Sequence, residues 1–260
     1  MGKKILVVDN DRFVLEWMRD LLTEEGHEVI TASDGLSALD ILKAYVPDVV
    51  FVDLIMPNIS GDKLCRIIRK KPHLSQVYLA VVSATVADDP ANAELGADAY
   101  IPKGPIVEMS EAILNAVAQA DRGTSQDPGE ALSGLMNLTR RSITRELLAN
   151  QRHLETIINN LSEGILELSL DGKVIFANNS ALSLFGGHEE RILGYPFSGL
   201  FEEDDRKKIE EIVAGIGAGG PEIIDPVNIQ FNDKTLALKI LPIEEDMVWY
   251  IIVIVSHATD

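Results

Sequence analysis

Along the first 120 residues, short runs of consecutive apolar residues alternate with segments whose apolar positions recur at helical spacing. Ile5 to Val8, Val29 to Thr31, Val49 to Val52, Val77 to Val82 and Tyr100-Ile101 are the runs. Asp11 to Glu25 places Val14, Leu15, Met18, Leu21 and Leu22 on one helical face and stops at Gly26, a C-terminal signal. Ser33 and Asp34 can cap a helix carrying Leu36, Leu39, Ile41 and Leu42, and Gly61 to Lys70 and Ile106 to Ala120 read as two more. Continuous apolar strands separated by helices predict a doubly wound α/β domain with a five-stranded parallel sheet covered on both faces. In such sheets ligands bind at the carboxyl ends of the strands.

From Ala120 to Gly134 the pattern breaks into polar residues and Gly or Pro, which predicts a linker. A long helical segment follows, Leu132 to Leu161. It places Met136, Ile143, Leu147, Leu154, Ile157 and Leu161 at heptad-compatible spacing, with Arg140 and Asn150 at the remaining seam positions. That spacing predicts a coiled coil or an amphipathic helix packed on its own domain, and a buried Asn would fix register and oligomer state. After Gly164 the chain becomes β-rich. Ile165 to Leu170 and Val174 to Ala177 flank Asp171-Gly172 as a hairpin. Helical pieces at Ser180 to Phe185 and Asp204 to Ile216 precede three more strand-like runs, Val227 to Phe231, Thr235 to Leu241 and Val248 to Val255. This half predicts an α+β domain with an antiparallel sheet. The expected organisation is a first domain over 1–121, a linker and signalling helix over 122–152, and a second domain over 153–260.

Composition leaves this picture in place, and charge narrows it. Apolar residues make up 46% and charged residues 25% of the 260, which is ordinary globular usage. No apolar run is long enough to span a bilayer, and Met1 to Lys4 leads into too short an apolar stretch for a signal peptide. One cysteine, Cys65, excludes an internal disulfide and a thiolate cluster, so a cytoplasmic location is expected. A formal charge of −18 argues against nucleic acid as a partner, and Arg140-Arg141 reads as a solvated face.

The candidate chemistry lies in the first half. Asp9, Asn10 and Asp11 follow the first strand, Asp53 the third, Ser83 the fourth and Lys103 the fifth. A parallel sheet brings these ends to one rim. Two or three carboxylates, one hydroxyl and one amine there suit a hard cation such as Mg²⁺, which takes one or two carboxylates plus water and phosphate oxygens. A carboxylate can also attack a phosphoryl group while metal, amine and hydroxyl neutralise its oxygens.

The ordered set Val7-Val8-Asp9-Asn10-Asp11, Val52-Asp53-Leu54-Ile55-Met56-Pro57, Gly61, Val82-Ser83-Ala84, Gly96 to Tyr100 and Pro102-Lys103 resembles the response-regulator receiver family over residues 3–120. The resemblance implies a flavodoxin-like fold, with Asp53 as phosphoacceptor for a histidine kinase. It implies Asp9, Asn10, Asp53 and the Ile55 backbone carbonyl as Mg²⁺ ligands. Ser83 would be the switch hydroxyl, Lys103 the phosphoryl-contacting cation and Tyr100 the switch aromatic. Two departures stand out. Asn10 occupies a place where the family usually has a second acid, which weakens the metal side unless Asp11 compensates. Gly104 separates Lys103 from Pro105, where the family usually has Pro directly after the lysine. Asp88, Asp89 and Pro90 leave the helix between Ser83 and Lys103 in doubt.

The run Asp171 to Gly186, with Ile192-Leu193-Gly194 and Leu200 to Arg206, resembles the PAS family over residues 153–257. It implies a five-stranded antiparallel sheet cupped by helices, which serves a ligand in some members and dimerisation in others. No cofactor signature is present, so the PAS ligand is unknown or absent. Phe176, Leu182, Phe185 and Ile229 read as core, and His188 as a loop residue. His153 and His257 lack the pattern of a kinase phosphohistidine, so no catalytic effector is expected in this chain. The leading expectation is a phosphorylation-dependent signalling protein that relays the change at Asp53 through a helix to a PAS homodimer. The competing expectations are a phosphate-independent scaffold, motivated by Asn10, and a haloacid-dehalogenase-like phosphatase using Asp9. Residues Ser256 to Asp260 sit where related chains often continue, so a downstream output beyond this chain is also an expectation.

Overall fold

The structure is a computed structural model that describes residues 2–84, 95–120, 154–217, 224–245 and 248–257. The chain divides into two compact units, Met1–Asn150 and Gln151–Asp260, each described by itself. The segment whose helix was in doubt (85–94) and most of the predicted coiled coil (132–153), with Arg140-Arg141 and His153, lie outside the described residues.

In the first unit β1 (Lys4–Val8), β2 (Glu28–Ala32), β3 (Val49–Val52), β4 (Tyr78–Ser83) and β5 (Ala99–Pro102) form one parallel sheet in the order β2-β1-β3-β4-β5. The helices are α1 (Arg12–Glu24), α2 (Gly35–Leu42), α3 (Gly61–Lys70) and α4 (Ile106–Gln119). Every residue of β3 and β4 is buried, as continuous apolar runs require when both faces are covered. Met18 and Leu22 of α1, with Met109, Ile113, Ala116 and Val117 of α4, close the core on Ile5, Val7, Phe51 and Ala80. The helix starts follow local chemistry. The Asp11 carboxylate accepts the Phe13 N–H at 2.8 Å, and the Asp34 carboxylate accepts the Ser37 N–H at 2.9 Å, each satisfying an otherwise orphaned donor. Gly26 ends α1 with φ +83°, a conformation glycine adopts without a Cβ penalty. The strand order reverses between β1 and β3, which makes their carboxyl ends the switch point of the sheet.

In the second unit β6 (Gly164–Leu168), β7 (Val174–Ala177), β8 (Ile224–Phe231), β9 (Lys234–Glu245) and β10 (Val248–His257) form an antiparallel sheet in the order β7-β6-β10-β9-β8. The helices are α5 (Asn179–Leu184), α6 (Glu189–Ile192) and α7 (Glu203–Gly217), with a 3₁₀ turn at Phe197–Leu200. The sequence missed α6 and the 3₁₀ turn, whose four residues each are too short to show a period. The β8–β9 hairpin turns through Asn232 and Asp233, at φ 48° and 60°, the two left-handed residues a tight hairpin needs. Phe185, Phe197, Phe201 and Phe231 meet edge-to-face, with centroids 5.0 to 5.9 Å apart, and fill the space against the inner face of the sheet. Phe185 and Ile229 are core residues as expected; Phe176 and Leu182 are only partly buried. Phe176 alternates with the buried Ile175 and Ala177, which puts it on the opposite side of β7.

The helical residues at 154–159 end earlier than the predicted Leu161, and Asn178 accounts for how that end is held. Fully buried, its amide donates to the carbonyls of Ile158 (3.0 Å) and Glu163 (2.9 Å). Its oxygen accepts the N–H groups of Ile165 and Ala181, both at 2.9 Å. Asn178→Ala leaves four backbone groups, one in a buried and three in part-buried hydrogen bonds, without these partners. It is expected to cost about 3 kcal/mol in urea unfolding of the second unit. A loss under about 0.5 kcal/mol would show that the neighbouring backbone regains its hydrogen bonds elsewhere.

Candidate functional site

Three backbone hydrogen bonds carry the sheet one residue past its strands and fix the site residues. The Asp9 N–H donates to Ala32 O (3.1 Å), the Asp53 N–H to Val8 O (2.9 Å) and the Lys103 N–H to Ser83 O (2.9 Å). The side chains then converge. Lys103 Nζ lies 2.7 Å from Asp9 Oδ2 and 2.9 Å from Asp53 Oδ2. Asp9, Asp53 and Ser83 are all buried, and Lys103 is largely covered. Asp9 Oδ1 accepts the Asp11 N–H at 2.9 Å, so both of its oxygens are engaged.

The protonation equilibria follow from the count of charges, two anions for one cation. Burial pushes the Asp53 pKa up and the nearby Asp9 carboxylate adds to the rise. Attraction to Lys103 and a hydrogen bond from the Ile55 backbone offset only part of it. For Lys103, burial pulls the other way, but Asp53 and Asp9 together outweigh it and raise its pKa. The ammonium is favoured by two anions, whereas each carboxylate faces a cation and another anion. The triad is therefore a buried site one positive charge short of balance.

Other predicted residues occupy different places. Asn10 is exposed. Asp11 caps α1, with its Oδ1 accepting the Phe13 N–H. Ile55 is 39% exposed at the mouth of the β3–α3 loop. Tyr100 is half-buried on β5, with its hydroxyl pKa pushed up to about 12 by burial and by the neighbouring Cys65. Cys65 is fully buried on α3 and its thiol is likewise pushed up to about 12, chiefly by burial, which keeps it unreactive. No cis peptide occurs among the described residues, including the Lys103-Gly104-Pro105 stretch. In the second unit His188 sits at the N-terminal cap of α6, exposed, with Nδ1 3.7 Å from Glu190 Oε1. This is a surface setting.

Sequence reading missed two supports of the site. Arg69 of α3 donates to the carbonyls of Gly96 (2.6 Å), Ser75 (3.1 Å) and Val77 (2.7 Å) and to Asp98 Oδ2 (2.5 Å). Asp98 Oδ2 in turn accepts the Leu79 N–H at 2.8 Å. This staple sets the four-residue edge strand β5, and with it Lys103, against β4. The second support is packing under the loop after Asp53. A Cβ on Gly61 would lie 1.9 Å from the Asp53 carbonyl oxygen, and one on Gly35 would lie 2.2 Å from the Ile59 carbonyl oxygen. Asn58 in the same loop has φ 62°.

Residues 5–114 match the family model of the response regulator receiver domain, and residues 152–220 match the PAS fold. The response regulator MprA of Mycobacterium sp. (strain KMS) is 34% identical over 156 residues, 59% of this chain and 66% of that protein. The protein of the same name from Mycobacterium tuberculosis is 32% identical over 155 residues with the same coverage. The chain thus spans slightly less than two thirds of the length of these relatives. Among solved structures, the chemotaxis response regulator CheY4 of Vibrio cholerae is similar at 22% identity and a TM-score of 0.42, over 46% of this chain and 99% of that one. A response regulator from Chloroflexus aurantiacus is similar at 28% identity and a TM-score of 0.40, over 45% and 99%. Residues 5–114 thus form a response regulator receiver domain and residues 152–220 a PAS fold. Among the described residues no helix is long and apolar enough to cross a membrane.

Proposed function

We propose that Asp53 accepts a phosphoryl group from the phosphohistidine of a partner histidine kinase, and that this charge change is the signal the protein carries. The observation that carries the reading is the Lys103 ammonium set between the buried carboxylates of Asp9 and Asp53 at the switch point of the sheet. An Asp53 carboxylate oxygen attacks phosphorus. The bond from phosphorus to the donor imidazole breaks, its electron pair stays on the imidazole nitrogen, and the product is an acyl phosphate on Asp53. Lys103 neutralises the incoming oxygens, Ser83 presents its hydroxyl from the end of β4, and Tyr100 on β5 is the aromatic that reports the change.

The residues present fit Mg²⁺. The site is short of positive charge, and its donors are two carboxylates of the number Mg²⁺ takes beside water and phosphate. Among the described residues no group of three or more His, Cys, Asp or Glu forms an all-protein metal cage. Asp9, Asp53, the Ile55 carbonyl and, more weakly, the Asn10 amide oxygen would hold the ion. When bound, the ion supplies charge neutralisation on the phosphoryl oxygens.

The output runs from the receiver through the helical linker to a PAS homodimer. Leu154 and Ile157 are 60% and 50% exposed, and they continue the sequence seam of Met136, Ile143 and Leu147. A second copy of the chain in parallel register covers such a seam. Soluble, cytoplasmic operation and the absence of a catalytic effector in this chain belong to the same reading.

Incubation with acetyl phosphate and Mg²⁺, followed by reductive trapping and peptide mass analysis, tests the site. The label is expected on Asp53. A label on Asp9 would favour the phosphatase reading. The absence of any label at saturating donor would favour the phosphate-independent scaffold, which the exposed Asn10 motivates.

A further inference from the structure

Lys103 reaches Asp9 and Asp53 from the end of a weakly pinned strand. β5 is an edge strand of the described sheet, paired with β4. Of its four residues only Ile101 is buried, and Pro102 has no N–H to give to the ladder. Register in a sheet is specified by the side chains it buries, so a short strand that buries one is poorly fixed by its own sequence. Lys103 is the next residue after β5, and any slip of the strand carries its ammonium away from the two carboxylates.

The hold is at the other end of the strand. Arg69 donates Nε to the Gly96 carbonyl, Nη1 to the Ser75 and Val77 carbonyls, and Nη2 to Asp98 Oδ2. Ser75 and Val77 lead into β4, and Gly96 and Asp98 lead into β5, so a single planar guanidinium sets the two strands at a fixed offset. Asp98 extends the pairing, since its N–H donates to the Leu79 carbonyl at 2.7 Å and its side chain accepts the Leu79 N–H at 2.8 Å. α3 ties this clamp to the phosphoacceptor. At its first residue the Gly61 N–H donates to the Leu54 carbonyl at 3.1 Å, next to Asp53, and Arg69 lies about 12 Å further along the helix. The helix is thus a strut between the loop that carries Asp53 and the strand that carries Lys103. We propose that Arg69 is a positioning residue for phosphoryl transfer: from the amino end of the sheet it fixes the offset of β5 against β4, and so holds the Lys103 ammonium beside Asp53. It acts over the length of β5, about 16 Å of extended chain from Asp98 to Lys103. A lysine at this position has its donors on one atom and does not span acceptors from two strands. This role rests on the reading of Asp53 as phosphoacceptor and adds to it a residue outside the rim of the site.

Arg69→Met, Arg69→Lys and Met18→Ala in the full chain test it. Met18 is a buried core residue of α1, so its truncation lowers stability without entering the clamp. Three quantities are measured: the maximal rate of Asp53 labelling by acetyl phosphate with Mg²⁺, the urea midpoint, and the exchange protection of the Lys103 N–H, which donates to the Ser83 carbonyl at 2.9 Å. Arg69→Met is expected to lower the maximal rate by at least about tenfold and to cut the protection at Lys103 by a similar factor, because small misplacements of a reacting group are costly. Arg69→Lys keeps a charge at Asp98 and is expected to lose at least about threefold in rate, which decides the matter if Arg69→Met does not fold. Met18→Ala is expected to lower the urea midpoint at least as far as Arg69→Lys while its rate stays within about twofold of the parent. Parent-like rates in the folded Arg69 variants, or a Met18→Ala rate that falls as far as theirs, would overturn the positioning role alone. A parent chain that takes no label on Asp53 would overturn the phosphoacceptor reading and this role with it.

Discussion

Asp53→Asn is expected to abolish phosphoryl acceptance and, at neutral pH, to make the receiver unit more stable than the parent. Both effects arise from the same burial. The Asp53 carboxyl is almost inaccessible, and its pKa is raised from 3.8 by burial first and by Asp9 second, more than Lys103 and the Ile55 backbone lower it. A carboxyl with a higher pKa folded than unfolded binds its proton more tightly in the native state. Its charge therefore opposes folding at every pH above the folded pKa. The penalty shrinks as pH falls through the folded value and vanishes below the unfolded 3.8. Asparagine carries no charge, and Lys103 keeps Asp9 as its partner at 2.7 Å. The stability gap between variant and parent is thus widest near neutrality and closes on acidification. Urea melts of both proteins between neutral pH and about pH 4 measure it. A variant less stable than the parent at neutral pH would mean that the Lys103 contact outweighs burial.

Gly61→Ala is the second large effect. Its added Cβ would meet the Asp53 carbonyl oxygen at 1.9 Å and the Leu54 Cα at 2.7 Å, all of it backbone and none free to rotate away. Either α3 or the strand end carrying Asp53 has to move. The expected cost is about 3 kcal/mol in urea unfolding, together with slower phosphoryl uptake because Asp53 shifts relative to Lys103. Gly104→Ala is the internal control. Its Cβ would meet nothing closer than the Pro102 carbonyl oxygen at 4.0 Å, so a change under about 0.5 kcal/mol is expected. Helix propensity and unfolded-chain entropy both favour alanine, so equal losses in the two variants would show that the backbone contact at Gly61 is not the cause.

The legible parts of this protein were those with a period or an ordered set of end-of-strand residues. β3 and β4 announced themselves as uninterrupted apolar runs, and α3 fell where its spacing placed it, Gly61–Lys70. Asp9, Asp53, Ser83 and Lys103 could be gathered at one rim because parallel strands leave no other arrangement for their ends. What escaped was tertiary. Arg69 looks like one more charge in the last turn of α3, and only the folded chain shows it meeting three carbonyls and Asp98. That Asp11 caps α1 shows only in one hydrogen bond, from the Phe13 N–H. Phe176 was placed with the core because it is aromatic, but the register irregularity next to Glu167 leaves Ile175 and Ala177 buried around it.

Asn178 has a mechanical consequence. It ties together the segment arriving at Ile158, the turn at Glu163, the first residues of β6 and the start of α5. Asn159 adds a bond to the Asn179 N–H, and Ser180 adds one to the Leu161 carbonyl. A torque applied along 154–159 is therefore delivered at a clamped joint, and it cannot dissipate as free swivelling of that segment. The sheet must turn with it, or the joint must break at the cost of several hydrogen bonds.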